Sequence, residues 1–289
     1  MTISLTTADG LVLEVHEAGD SDGFPIVHHH GTPASGTLYE RWETPGVRLV
    51  AYDRAGYGGS TRRPGRSVAD VVADIEAIAD TLGFERYATW GLSGGGPHAL
   101  ACAALCDERL VAAASLAGVG PWEAPGLDWL AGMGEGNVRE FGLTIEGEAA
   151  LRPALEEERA QLVQITAEQL RDAMAPHLSP TDSAALTGDL AAYFHSNMLH
   201  ALGESADGWI DDDLAFAKPW GFELAQIDRP VLIIQGGDDL MVPPAHGRWL
   251  AQNVPRAESR LDDAHGHLTL VQHLVPEVHE WLLSASAAA

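Results

Sequence analysis

Residues 87–100 read YATWGLSGGGPHAL and place a single serine, Ser93, between Gly91-Leu92 and Gly94-Gly95. A short apolar strand enters this stretch and a helix leaves it, with Pro97 near the helix start. Glycines two residues to either side of the serine permit a sharp strand-to-helix turn where a Cβ would clash. Such a turn pushes the Ser93 hydroxyl out at the C-terminal edge of a sheet, above a helix N-terminus whose dipole favours developing negative charge. A phosphate-binding loop would end in Lys-Ser or Lys-Thr, and no lysine is present; glycines 91, 94, 95 and 96 also miss the dinucleotide spacing. The chemistry that fits is nucleophilic attack by Ser93. A hydroxyl does this only with a base to take its proton, and near pH 7 an imidazole is the usual one.

With that strand, turn and helix in place, the chain resembles the α/β-hydrolase family, and within it the capped esterase, lactonase and aminopeptidase-like branch, over nearly all of residues 5–284. The resemblance implies an acid after a late strand and a histidine after the last one, in the order Ser, Asp, His. LIIQGGDDLMVPP offers Asp238 and Asp239, and LDDAHGHLTL offers His265 and His267. The family pattern falls on Gly236 to Asp239, followed by Val242 and Pro243, which favours Asp239 and leaves Asp238 as a loop or solvated carboxylate. Gly266-His267 ahead of a helix favours His267, with His265 at the pocket rim. His30-Gly31-Thr32-Pro33 resembles the family's His-Gly-X-Pro turn. By that likeness the Thr32 and Gly94 N–H groups form the oxyanion hole, and His30 and Pro33 hold the loop. YDRAGYGGS resembles another recurrent family segment, in which Asp53 and Arg54 are expected to tie loops together.

The resemblance implies an acyl-enzyme on Ser93 formed from a small carboxylic ester or lactone. An aminopeptidase-like amide hydrolase and a carbon-carbon bond hydrolase are the alternatives on the same triad, and peracid formation also uses it. Amine-binding relatives use acids of the cap, where Glu146, Glu148 or Glu156 to Glu158 are available. Trp122, Trp129, Met133, Phe141, Phe194, Met198 and Trp220 are large apolar groups in or near the insertion, suited either to a pocket wall or to helix packing. An aspartate at the elbow would suit epoxide or halide hydrolysis, and the position is serine. No metal or organic cofactor is required. Consecutive strand residues face opposite ways, so His28, His29 and His30 cannot share an ion without distortion.

The elements that must carry these residues alternate. ISLTTADGLVLEVHEAG is a hairpin around Asp-Gly; PIVHHHG, VRLVAYD, YATWG and LVAAASLAG are strands; residues 68–82, capped by Ser67, and PHALACAALC are helices. RPVLIIQG resumes the strands, then PAHGRWLAQN, AESRLDD and a closing helix LTLVQHLVPEVHEWLLS, after which SASAAA is expected to fray. Between them the pattern is helical and acidic. The expected architecture is therefore α/β: a mostly parallel central sheet with helices on both faces, formed by residues 1–120 and 223–289, with a helical cap inserted over 121–222.

The whole-chain properties narrow the partners. The 289 residues carry 17 Lys and Arg against 42 Asp and Glu, a net charge of -25 that repels nucleic acid and anionic lipid. This acidity reflects either a strongly solvated surface or adaptation to high salt. Cys102 and Cys106, four apart in an Ala/Leu-rich helix, read as small buried side chains. MTISLTTADG lacks a basic stretch followed by an apolar one, and no apolar run is long enough to span a bilayer. The expectation is a cytoplasmic protein acting on a small molecule, with no nucleic-acid or membrane partner; a homodimer is compatible with the sequence.

Overall fold

The structure is a computed structural model and describes residues 1–288. Eight strands form one sheet: β1 (Thr2–Thr6), β2 (Val12–Gly19), β3 (Phe24–His29), β4 (Val47–Tyr52), β5 (Tyr87–Leu92), β6 (Leu110–Leu116), β7 (Val231–Gly236) and β8 (Ala257–Asp262). Their spatial order is β1-β2-β4-β3-β5-β6-β7-β8. β1 and β2 are antiparallel to their neighbours, and every pairing from β4 through β8 is parallel. Parallel strands need crossovers, which α1 (Val71–Leu82), α2 (Gly95–Leu105) and α9 (Pro244–Asn253) supply, while α10 (His267–Ala288) closes the chain.

Alternation along the strands divides the core in two. On β7, Val231 and Ile233 belong to one apolar cluster with Ile75, Ile78, Leu100 and Leu250. Leu232 and Ile234 belong to the other, with Trp42, Trp90, Leu274 and Val278. The sheet is thus buried on both faces, which explains the continuous apolar runs of β5, β6 and β7. β8 is the exception. It is an edge strand, mostly exposed, and Arg260 on it pairs with Glu277 and Asp262.

Between β6 and β7 runs the helical insertion: α3 (Glu135–Glu146), α4 (Glu148–Leu162), α5 (Ala167–Met174), α6 (Pro180–Ala185), α7 (Gly188–Leu202) and α8 (Asp207–Phe216). Two local expectations are corrected. Residues 68–70 form a 3-10 turn ahead of α1, because the Asp70 carboxylate turns back to accept from the Ser67 N–H and hydroxyl. The tail SASAAA continues α10 through Ala288 instead of fraying, with the Ser286 carbonyl accepting from Arg86 Nη2 at 2.8 Å and the Ser286 hydroxyl bonded to Leu283 O; residue 289 lies outside the described residues.

Candidate active site

Ser93 sits directly after β5 with φ of 53°, in the left-handed region that costs an L-residue roughly 1–2 kcal/mol. The bend is held at both ends. Ser93 N–H donates to Leu116 O of β6 at 2.8 Å, and Gly96 N–H donates to Ser93 O at 2.9 Å. Glycine is required beside it for space. A Cβ on Gly91 would run into the Gly95 carbonyl, and one on Gly95 into the His29 carbonyl. Backbone cannot step aside as a side chain can, so both positions tie the bend to β3 and to the first turn of α2.

The loop after β3 comes down against this bend. A Cβ on Gly31 would lie 3.5 Å from Ser93 Cβ, and one on Gly94 would meet the Thr32 hydroxyl and, at 3.0 Å, Thr32 Cβ. Thr32 and Gly94 are therefore adjacent beside Ser93. Arg54 arranges the loop by taking its carbonyls, with Nη1 on His30 O at 2.7 Å and Nη2 on Gly31 O at 3.1 Å. The Arg54 N–H donates to His30 Nε2 at 3.0 Å, so the imidazole proton sits on Nδ1 and bonds Gly31 O at 2.7 Å. Burial, aided by the Arg54 charge, holds His30 well below the usual imidazole range and keeps it neutral.

The three consecutive histidines take different partners. His28 packs on Trp90 and Trp42, His29 bonds the Tyr52 hydroxyl at 2.8 Å, and His30 holds the loop.

His267 opens α10 and Asp239 lies in the turn after β7, and the two meet: His267 Nδ1 is 2.7 Å from Asp239 Oδ2. The acid is fixed by its own loop. Its Oδ1 accepts from the Met241 and Val242 N–H groups at 2.9 and 2.8 Å, and Oδ2 also accepts from Gln235 Nε2 at 3.1 Å. Asp238 points elsewhere, to the Thr181 hydroxyl at 2.7 Å. His265 packs against His273, the two rings tilted by 36°. Burial would lower the His267 pKa, but the charge and hydrogen bond of Asp239, with the charge of Asp182 added, raise it above the ordinary value. The Ser93, Thr32, Gly94 and His267 side chains or backbone all line one cavity beneath the inserted helices.

Sequence reasoning did not single out Asp212 or Asp182. Asp212, on α8, is fully buried and accepts from Arg54 Nε at 3.0 Å, the Tyr57 hydroxyl at 2.9 Å and the Thr32 hydroxyl at 2.6 Å, while Arg66 lies 2.7 Å away. Burial would raise this carboxyl, and the two guanidinium groups hold it well below the usual carboxylate range. Asp182, on α6, caps α10 from outside. Its carboxylate accepts from the N–H groups of His267, Leu268 and Thr269 at 2.7, 2.9 and 3.0 Å.

The cavity wall differs in part from the expected one. Met133, Phe141, Phe194 and Met198 line it, whereas Trp122 and Trp129 pack on one another and Trp220 on Phe222. Of the cap acids named from sequence only Glu158 reaches the cavity, because Glu148 and Glu156 are drawn into pairs with Arg62, Arg152 and Arg159 and Glu146 stays on the surface. Glu140 and Asp213 line it instead. Burial pushes both carboxyls above the usual range; the neighbouring Glu140 adds to the rise at Asp213, whereas at Glu140 the added charge is that of Glu158 and the contact with Asp213 works the other way, and Asp213 Oδ2 has no hydrogen-bond partner.

Comparison with known proteins agrees with this architecture. Residues 25–144 match the model of the alpha/beta hydrolase fold family. The chain is 28% identical to a non-heme chloroperoxidase of Streptomyces lividans over 84% of each chain, and 28% identical to a proline iminopeptidase of Neisseria meningitidis over 94% of each. Among solved structures it resembles the enol-lactonase from Burkholderia xenovorans LB400, with a TM-score of 0.69 at 20% identity, covering 98% of this chain and 100% of that one. No helix among the described residues is long and apolar enough to cross a membrane. The mixed sheet with its parallel crossovers, the serine bend after its β5 strand and the family match across that bend give the chain the α/β-hydrolase fold.

Proposed function

We propose that the chain is a serine hydrolase that cleaves a small carboxylic ester or lactone through an acyl-enzyme. His267 takes the Ser93 proton as Oγ attacks the acyl carbonyl; the oxyanion rests on the Thr32 and Gly94 N–H groups, and His267 returns the proton to the departing alkoxide. Water, deprotonated by the same imidazole, then attacks the acyl carbon and frees Ser93. Asp239 holds the imidazole proton on Nδ1, which leaves Nε2 as the base. The observation that carries this reading is the buried 2.7 Å His267–Asp239 pair, whose imidazole lines the same cavity as a serine held at φ 53°.

The test is a graded series of p-nitrophenyl esters beside lactones, with a serine-directed phosphonate as covalent label. Ser93→Ala should lose both label and turnover, by on the order of 10⁶-fold in kcat. Full turnover in that variant would refute the mechanism.

One observation favours amide hydrolysis of an amine-bearing substrate as a second reading. Glu140 and Asp213 line the cavity together with Glu158, no Lys or Arg is among its described lining residues, and an ammonium group there would meet complementary acids. Under that reading aminoacyl anilides are hydrolysed, and Glu140→Gln raises their KM while leaving that of neutral esters unchanged. Failure to hydrolyse any aminoacyl anilide removes it.

A further inference from the structure

Away from the cavity, where α7 meets the antiparallel edge of the sheet, four side chains from three separate stretches converge. Glu14 and His16 stand two apart on β2 and so share a face, Asp53 follows β4, and His200 belongs to the last turn of α7. One donor atom from each lies within 4.8 Å of all the others. His200 Nε2 is 2.8 Å from Asp53 Oδ2 and 3.8 Å from Glu14 Oε1. His16 Nε2 is 3.4 Å from Asp53 Oδ1 and 4.0 Å from Glu14 Oε1. We propose that these residues bind a divalent transition-metal ion, Zn²⁺ by donor set, which staples the inserted helices to the sheet.

Two imidazole nitrogens with two carboxylate oxygens suit Zn²⁺ and not the oxygen-seeking Ca²⁺ or Mg²⁺. Bonds of about 2.0–2.2 Å set donor atoms about 3.3–3.6 Å apart around a tetrahedral ion, and the observed separations bracket that value. His16 turns a ring nitrogen into the cluster without completing a hydrogen bond there. Its Nε2 is buried with no hydrogen-bond partner, while Nδ1 is 3.3 Å from the Thr2 hydroxyl, the outer contact that orients a metal-binding ring. Asp53 is fully buried and anchored by the Gly36 and Gly59 N–H groups at 2.8 and 3.2 Å.

The surroundings leave the donors room. A Cβ on Gly58 would collide with the Asp53 carboxylate and His200, and one on Gly59 with the Glu14 carboxylate. The His200 side chain is 35% exposed, which gives an ion a way in. None of the four residues lines the Ser93 cavity, so the ion is structural. It binds an arrangement that only the folded chain assembles, and it stabilises that state by mass action.

The experiment uses tag-free, EDTA-dialysed protein titrated with ZnCl₂ by calorimetry, with metal content measured after gel filtration and the thermal midpoint followed by circular dichroism. One Zn²⁺ per chain and a raised midpoint are expected, with no response to Mg²⁺ or Ca²⁺. His200→Ala and the near-isosteric Glu14→Gln, whose folds are checked by the same spectra, should each weaken binding by more than the roughly 10- to 100-fold that an outer-shell partner contributes. Absence of stoichiometric binding in the unmutated protein overturns the proposal. So does binding that survives in both variants, which would locate the ion on other histidines.

Discussion

The two halves of the candidate site are built by different means. The half carried by the sheet is held by near neighbours in the chain: Ser93 by Gly96 and the adjoining strand, Asp239 by Met241, Val242 and Gln235. The half contributed by the inserted helices consists of carboxylates that reach the core from afar. Asp212 spans 158 positions to Arg54, and Asp182 spans 85 to His267. These acids supply what the sheet lacks, a counter-charge for Arg54 and Arg66 and a cap for the helix that carries His267. The insertion therefore does more than cover the cavity. Its anions complete the support of the Thr32 loop and of His267.

The largest effect expected from separating the halves lies in the sheet-borne one. Asp239→Asn presents an amide that can donate to Nδ1, favouring the tautomer in which Nε2 already holds the proton, and kcat should fall by about 10⁴-fold. Because the pair raises the His267 pKa, the acid limb of kcat/KM in the unmutated enzyme should have its midpoint above about 6.5. The sign follows from the base being needed neutral: activity rises as the proton leaves. In Asp239→Asn the residual activity should show a limb moved to lower pH, since burial then acts without the compensating charge. Asp238→Asn should leave both rate and limb nearly unchanged; the reverse ranking would exchange the two acids.

Next comes the buried charge that joins the halves. Asp212→Ala strands Arg54 and Arg66 without their carboxylate, and removal of one member of a buried ion pair costs about 3–5 kcal/mol. Urea unfolding at neutral pH measures it. The Asp212 pKa is depressed on folding, so its contribution is complete above the unfolded value of about 3.9 and is lost as pH falls through the folded value. The stability gap between the two proteins should accordingly close in acid and persist between pH 6 and 8. A gap that widened in acid would contradict the assignment of the charge.

The same division explains what the sequence disclosed. Ser93, Asp239, His267 and the Thr32 loop lie in short segments whose geometry is dictated by residues within a few positions, so the glycine spacing marks the Ser93 bend and the family resemblance picks out the others as candidates. The alternation of β3 to β6 is equally local. Asp182, Asp212, Asp213 and Glu140 stand in helices where acids are common, and nothing within a turn of them marks which face the core. The charge count singles out none of them, since only the tertiary partner distinguishes Asp212, which meets Arg54 and Arg66, from its equally buried neighbour Asp211, which pairs with the partly exposed Arg62. The four residues proposed to bind Zn²⁺ escape notice for the same reason, coming from three stretches with no recognisable ligand spacing.

The smallest effect is expected where one helix of the insertion touches His267 through backbone alone. Asp182 does two things to His267: it fills the first N–H groups of α10, and its charge helps to raise the imidazole pKa. Two substitutions separate them. Asp182→Ala removes both and should cost about 0.5–2 kcal/mol of stability, the usual range for a lost helix cap. Asp182→Asn keeps an oxygen acceptor and discards the charge, so most of the stability should return while the acid limb of kcat/KM moves to lower pH, by less than in Asp239→Asn because the carboxylate bonds the backbone and not the ring. A limb that stays in place in Asp182→Asn would leave this aspartate as a cap alone, and the electrostatic reach of the insertion would then end at Asp212.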